Sequence, residues 1–133
     1  MIRAVIDTNV LVSALLHPGG KPAQVMLMVF EGRIFPVVSK AVLREYQGVL
    51  GRKKFGFSES DMNAFLQFMG SSVFEFGDPA GFHGSVHKDD SIFVSAAVAG
   101  SADFIIRGNI RHFPAKKYGN TKAVTPAEFL QSF

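Results

Sequence analysis

The carboxylates of this chain are few, 11 in 133 residues, and several fall where a site can form. Asp7 ends the apolar run Ile2 to Ile6 and is followed by Thr8 and Asn9 before a second apolar stretch, "VLVSALL". Asp89 and Asp90 head a segment dense in alanine and valine, and Asn109 follows Phe104-Ile105-Ile106 past Arg107-Gly108. Glu45 lies in "SKAVLREYQGVL", where Val42, Leu43, Tyr46, Val49 and Leu50 make an apolar stripe. It falls on the border of that stripe, with Arg44 and Gln47 further round. Gathered carboxylates offer the oxygen ligands that hard cations such as Mg²⁺ prefer, and such ions support hydrolysis by activating water. Each residue also has a plainer reading. Asp7 is a good helix N-cap, acids in a first helical turn are favoured by the N–H groups and dipole there, and a glutamate at a stripe's edge is ordinarily solvated. As a set they are harder to dismiss, because three fall at junctions or margins from which they can converge.

The elements that must position them can be read in order. Residues 2 to 6 predict a strand and 8 to 16 a helix, closed by the turn signal His17-Pro18-Gly19-Gly20. A second helix is expected over 21 to 31, with Pro22 in its first turn and Gly32 beyond its end. Its run Val25 to Phe30 is wholly apolar, which fits a core helix or a contact with another chain. Residues 34 to 38 predict a strand, Ser39 caps a helix through Leu50, and Gly51-Arg52-Lys53-Lys54 forms a basic turn. Ser58 to Asp61 is a cap signature for a helix whose Met62, Phe65, Leu66 and Met69 share a face. A short strand at 73 to 76 and a loop at 77 to 84 follow. The remainder predicts a helix over 89 to 99, strands at 103 to 106 and 122 to 124, and a last helix opened by Thr125-Pro126-Ala127-Glu128. Strands alternate with helices, the signature of an α/β domain with a mostly parallel sheet covered on both faces. In such sheets, sites form at the carboxyl ends of strands, where Asp7 falls.

The bulk properties are permissive. The length fits one domain over 1–133, and 47% hydrophobic with 19% charged residues is a globular composition. No apolar run is long enough to span a membrane and no cleavable leader is evident, so a cytoplasmic protein is expected. The absence of cysteine removes disulfides and thiolate metal sites, and the four histidines show no zinc spacing. A net charge of +3 is compatible with a nucleic-acid partner. Arg107, Arg111, Lys116 and Lys117 form one basic cluster, and Arg52, Lys53 and Lys54 another.

Three stretches together resemble the PIN-domain ribonucleases, in the branch of VapC-like toxin components of toxin-antitoxin systems. They are "VIDTNVLVSAL", "SKAVLREYQGVLGRKKFGFSE" and "KDDSIFVSAAVAGSADFIIRGNIRHFP", and the closing "VTPAEFL" also fits. The resemblance covers nearly the whole chain. It implies a PIN-like three-layer α/β/α sandwich with a mostly parallel sheet of four to five strands. It implies a metal-dependent endoribonuclease in which Asp7, Glu45 and Asp90 are the catalytic acids, holding Mg²⁺ or Mn²⁺ together with Asn109. One ion would be held firmly and a second would arrive with substrate. Asp89 adjoins Asp90 and replaces it if the register slips by one. Thr8 and Asn9 would orient Asp7 by hydrogen bonds or simply cap the next helix, and Arg107, Arg111 and His112 would contact substrate phosphates. The implied partners are RNA, a cognate antitoxin and a second copy of the chain, with the apolar second helix as the dimer contact and no membrane.

Two departures stand out. Asn109 is neutral where many members carry a fourth aspartate, and Arg107 stands where threonine or serine is common. They keep open an alternative, a catalytically weak or inactive PIN-like module that binds RNA or protein. Other aspartate-bearing α/β families fit poorly. Asn9 breaks the Asp-x-Asp of haloacid-dehalogenase-type phosphatases, receiver domains need an aspartate and a lysine after later strands, and no Gly-Lys-Ser/Thr phosphate loop is present.

Overall fold

The computed structural model describes residues 2–70, 91–108 and 117–132. Its centre is β1 (Ile2–Ile6), where Ala4, Val5 and Ile6 are all essentially inaccessible to solvent. Successive strand residues point to opposite faces, so three buried in a row mean that both faces are covered. β2 (Ile34–Pro36) pairs with β1 on one side and β3 (Phe104–Ile106) on the other, both parallel. β5 (Thr121–Val124) extends the sheet parallel to β3, and β4 (Lys117–Tyr118) closes the edge antiparallel to β5. The order β2-β1-β3-β5-β4 makes an α/β fold with a mostly parallel five-stranded sheet.

Around it run α1 (Thr8–Leu16), α2 (Lys21–Phe30), α3 (Lys40–Leu50), α4 (Glu59–Gly70), α5 (Ser91–Ala99) and α6 (Pro126–Gln131). The caps work as their residues require. Ser39 Oγ accepts the Val42 N–H at 3.1 Å, Ser58 Oγ accepts that of Asp61 at 3.1 Å, and Thr125 with Glu128 forms a reciprocal capping box. The end of α5 packs directly on the segment after β2. A Cβ on Gly100 would overlap Val37 Cγ1, and the Gly100 carbonyl accepts both Nε–H and Nη2–H of Arg3. Only glycine lets helix and sheet approach this closely. Among the described residues, no helix is long and apolar enough to cross a membrane.

Several expectations need adjusting. β2 stops at Pro36 instead of running to Val38, although Val37 and Val38 remain fully buried. Proline donates no ladder bond, which an edge strand tolerates. β4 was not anticipated. Its lysine reads as part of a basic cluster, yet Gly119-Asn120 is a two-residue hairpin signal, and Gly119 adopts the positive φ of 61° that the turn demands. α2 is less enclosed than its composition suggests, with Leu27 56% and Phe30 51% exposed. The strand expected at 73 to 76 and the loop at 77 to 84 lie outside the described residues.

Candidate functional site

Asp7 sits at the carboxyl end of β1, between β2 and β3. There the chain leaves the sheet for α1, and the strand order reverses direction. Crevices at such switch points are where open parallel sheets bind ligands. The residue is only 2% exposed. Its backbone prolongs the ladder by donating from N–H to the Ile106 carbonyl at 2.9 Å. Its side chain is held at both oxygens: Oδ1 accepts the Asn9 N–H at 3.4 Å and Oδ2 accepts the Gly108 N–H at 3.2 Å. Asp7 therefore caps α1 and is tied to the end of β3 at the same time. The capping reading and the site reading are one geometry. These two long bonds orient the carboxylate, whose oxygens together offer about four lone-pair directions.

Gly108 has a specific reason to be glycine. A Cβ there would stand 3.0 Å from the Cβ of Asn9, so a side chain would crowd the start of α1 and require Asn9 to give by a few tenths of an ångström. Thr8 is buried, and its Oγ1 has no hydrogen-bond partner. Asn9 is exposed beside it. An orphaned hydroxyl next to a buried carboxylate, both oxygen donors, is a surrounding that suits a hard cation.

Glu45 lies on α3 and is half-buried, with Arg44 and Gln47 exposed beyond it, as the stripe predicts. The following residue, Tyr46, is completely buried and donates its O–H to the Ile6 carbonyl at 2.6 Å. This bond fastens the turn of α3 that carries Glu45 to the residue directly before Asp7. Burial, and then the negative charge of Asp7, push the Tyr46 phenol far above its ordinary range. Sequence reasoning placed Tyr46 in the apolar stripe and missed this role. The available signal was that a buried tyrosine must find an acceptor for its hydroxyl.

Arg107 is not a solvent-facing group. It is 4% exposed, and its Nη2 lies 3.7 Å from Glu128 Oε1 on α6. Asp89, Asp90, Asn109, Arg111, His112 and Lys116 lie outside the described residues. Among the described residues, no three acidic or histidine side chains gather into a metal-binding group; the end of β1 at Asp7 is joined to α3 and β3.

The comparisons with known proteins agree with this architecture. The PIN domain family model matches residues 3–111, and the chain belongs to that family. It is 28% identical over 142 residues to the uncharacterized protein MJ1680 of Methanocaldococcus jannaschii, spanning 99% of this chain and 92% of that one. Among solved structures it is similar to VapBC2 from Rickettsia felis bound to a DNA fragment from their promoter. The TM-score is 0.64 at 21% identity, over 93% of this chain and 98% of that one, a likeness of fold.

The tie between Tyr46 and Ile6 has a measurable consequence. Tyr46→Phe removes the donor and strands a buried carbonyl, so stability in urea should fall by about 1–3 kcal/mol at neutral pH. The raised phenol also fixes the sign of a pH effect. The contribution is whole below the unfolded tyrosine value of about 10 and is lost as pH rises above it, because only the unfolded chain then releases that proton. The native chain should lose more stability between neutral and strongly alkaline pH than Tyr46→Phe does; equal slopes for both would show that the phenol is not linked to folding.

Proposed function

We propose that the chain is a metal-dependent endoribonuclease that hydrolyses RNA phosphodiester bonds as a single PIN-like domain, the toxin component of a toxin-antitoxin pair. The observation that carries this reading is Asp7: a buried carboxylate at the switch point of a PIN-domain sheet, held at both oxygens by backbone amides. Burying a carboxylate is costly, and a divalent cation at this strand end would offset that cost.

Asp7, Glu45 and Asp90 are the residues we assign to hold Mg²⁺ or Mn²⁺, with Asn109 beside them. When bound, such an ion neutralises phosphate charge and brings a water to nucleophilic strength near neutral pH. The chain's own part is placement. The Asn9 and Gly108 amides fix the Asp7 carboxylate, Tyr46 fixes the α3 turn bearing Glu45, and Thr8 offers a hydroxyl to orient what lies beside Asp7. Asp89 is the neighbour of Asp90 and the first candidate to take its place. Asn109 adds no charge, which favours one firmly held ion and a second that comes with the RNA. Arg111 and His112 are assigned to phosphate contacts near the cut, and Arg107 to a phosphate contact of its own.

Protein partners are expected on another face. Leu11, Leu15, Met26, Leu27, Phe30 and Phe65 line an apolar cleft of about 320 Å³ between α1, α2 and α4. The exposed Leu27 and Phe30 on α2 make this helix our candidate contact with a second copy of the chain. The fold likeness to VapBC2 supports an antitoxin as a further partner.

Two experiments test these assignments. Asp7→Asn keeps a good N-cap and removes the charge, so it isolates the metal role from the structural one. Cleavage of labelled single-stranded RNA should require Mg²⁺ or Mn²⁺. It should fall by more than about 100-fold in Asp7→Asn, Glu45→Gln and Asp90→Asn, since even partners of metal ligands are worth about 10–100-fold. RNA binding without cutting under either metal would instead establish the binding-module reading. For assembly, light scattering should find a dimer that Leu27→Glu with Phe30→Glu converts to monomer; a native monomer at working concentration would rule the contact out.

A further inference from the structure

Beyond the end of β3 the molecule carries a second polar cleft, of about 290 Å³, lined by Arg107, Lys117, Lys122, Ala123, Val124 and Glu128. Neither Asp7 nor any residue of α1 lines it. Three cations and one carboxylate share this space.

Each cation is placed in a way that its own surroundings do not repay. Arg107 is nine-tenths buried or more, yet its Nε and Nη1 have no hydrogen-bond partner. A guanidinium removed from water with two donors unmet is costly unless something accepts from it. Glu128 answers only in part. Its Oε1 is 3.7 Å from Nη2, beyond hydrogen-bonding distance, and already accepts the Thr125 N–H at 3.0 Å within the capping box. Lys117 and Lys122 are directly opposite each other in the antiparallel β4–β5 register. Like charges in that position repel. Two facing lysines and a buried, under-bonded arginine around one opening are the arrangement an oxyanion would satisfy.

We propose that this cleft binds one phosphate of an RNA strand, on a linkage other than the one cut at Asp7. This rests on the ribonuclease reading. β3 supplies the connection, because the Arg107 side chain enters the cleft while the next residue, Gly108, donates its amide to Asp7. A strand held at Arg107, Lys117 and Lys122 is thereby registered against the Asp7 carboxylate through one peptide step. Phosphate contacts of this kind set position and carry no base information.

The test uses the full chain in chelator, where binding is separated from cutting. Lys117 and Lys122 are exposed, so Lys117→Ala with Lys122→Ala leaves the core intact, whereas Arg107 variants risk the fold. The double variant should bind a short single-stranded RNA about tenfold more weakly, and its salt dependence should be shallower by about 0.7 in log–log slope, the value for one phosphate contact on a single strand. Inorganic phosphate titrated into the native protein should shift the Arg107 Nε–H resonance, and the variant should lose that shift. Unchanged RNA affinity and slope in a folded variant would overturn the proposal. If phosphate still shifts Arg107 in that case, the ligand is a free phosphate and not RNA. Native protein that binds RNA through this cleft yet cuts none with Mn²⁺ would overturn the ribonuclease reading and leave the cleft assignment standing.

Discussion

The arrangement depends on keeping an aspartate out of water at the end of a strand that is itself fully covered. Desolvating a carboxylate is expensive, and the surrounding chain is organised to limit that cost. α1 begins at Asp7 so that its first amides point at the carboxylate. β3 ends where Gly108 can present its N–H, and a side chain at that position would crowd Asn9. α3 is fastened to the same strand end through Tyr46. Three elements far apart in sequence thus meet at Ile6 and Asp7, and each contact involves a backbone group of β1, α1 or β3 and not flexible side chains alone.

On the proposed ribonuclease reading, that rigidity is what a hydrolytic site needs from its scaffold. A ligand-bearing carboxylate that wandered by an ångström would lose the alignment that makes binding productive. Tyr46 contributes twice. Its hydroxyl locks α3 to β1, and its ring fills the core beneath Glu45, so the helix cannot rotate that acid away without opening a buried cavity. The neutral phenol also places no second negative charge beside Asp7.

Much of this was legible in the sequence because local signals and burial agree there. The run before Asp7, the Ser39 cap, the Ser58 cap and the Thr125 capping box are written in adjacent residues, and each element formed where its signal lay. The border position of Glu45 followed from helical periodicity alone. What could not be read were relations between distant positions. Nothing near Gly108 announces that its amide meets Asp7, 101 residues earlier in the chain. Tyr46 looked apolar because Val42, Leu43, Val49 and Leu50 around it are, and only the three-dimensional neighbour of its hydroxyl reveals the tie to Ile6. Arg107 looked like a surface cation because its sequence neighbours Arg111 and Lys117 are basic, whereas its side chain is enclosed by the end of β5 and by α6.

The single peptide step from Arg107 to Gly108 joins the surroundings of Asp7 to the basic cleft. A strand directs successive groups in opposite senses, so one step can serve both without compromise. The Gly108 amide reaches Asp7, and the Arg107 guanidinium reaches toward α6. The departure from the threonine or serine common at this position then has a physical meaning. A short hydroxyl side chain there could not span to Glu128 or meet Lys117 and Lys122, so the basic cleft exists in this chain because residue 107 is an arginine.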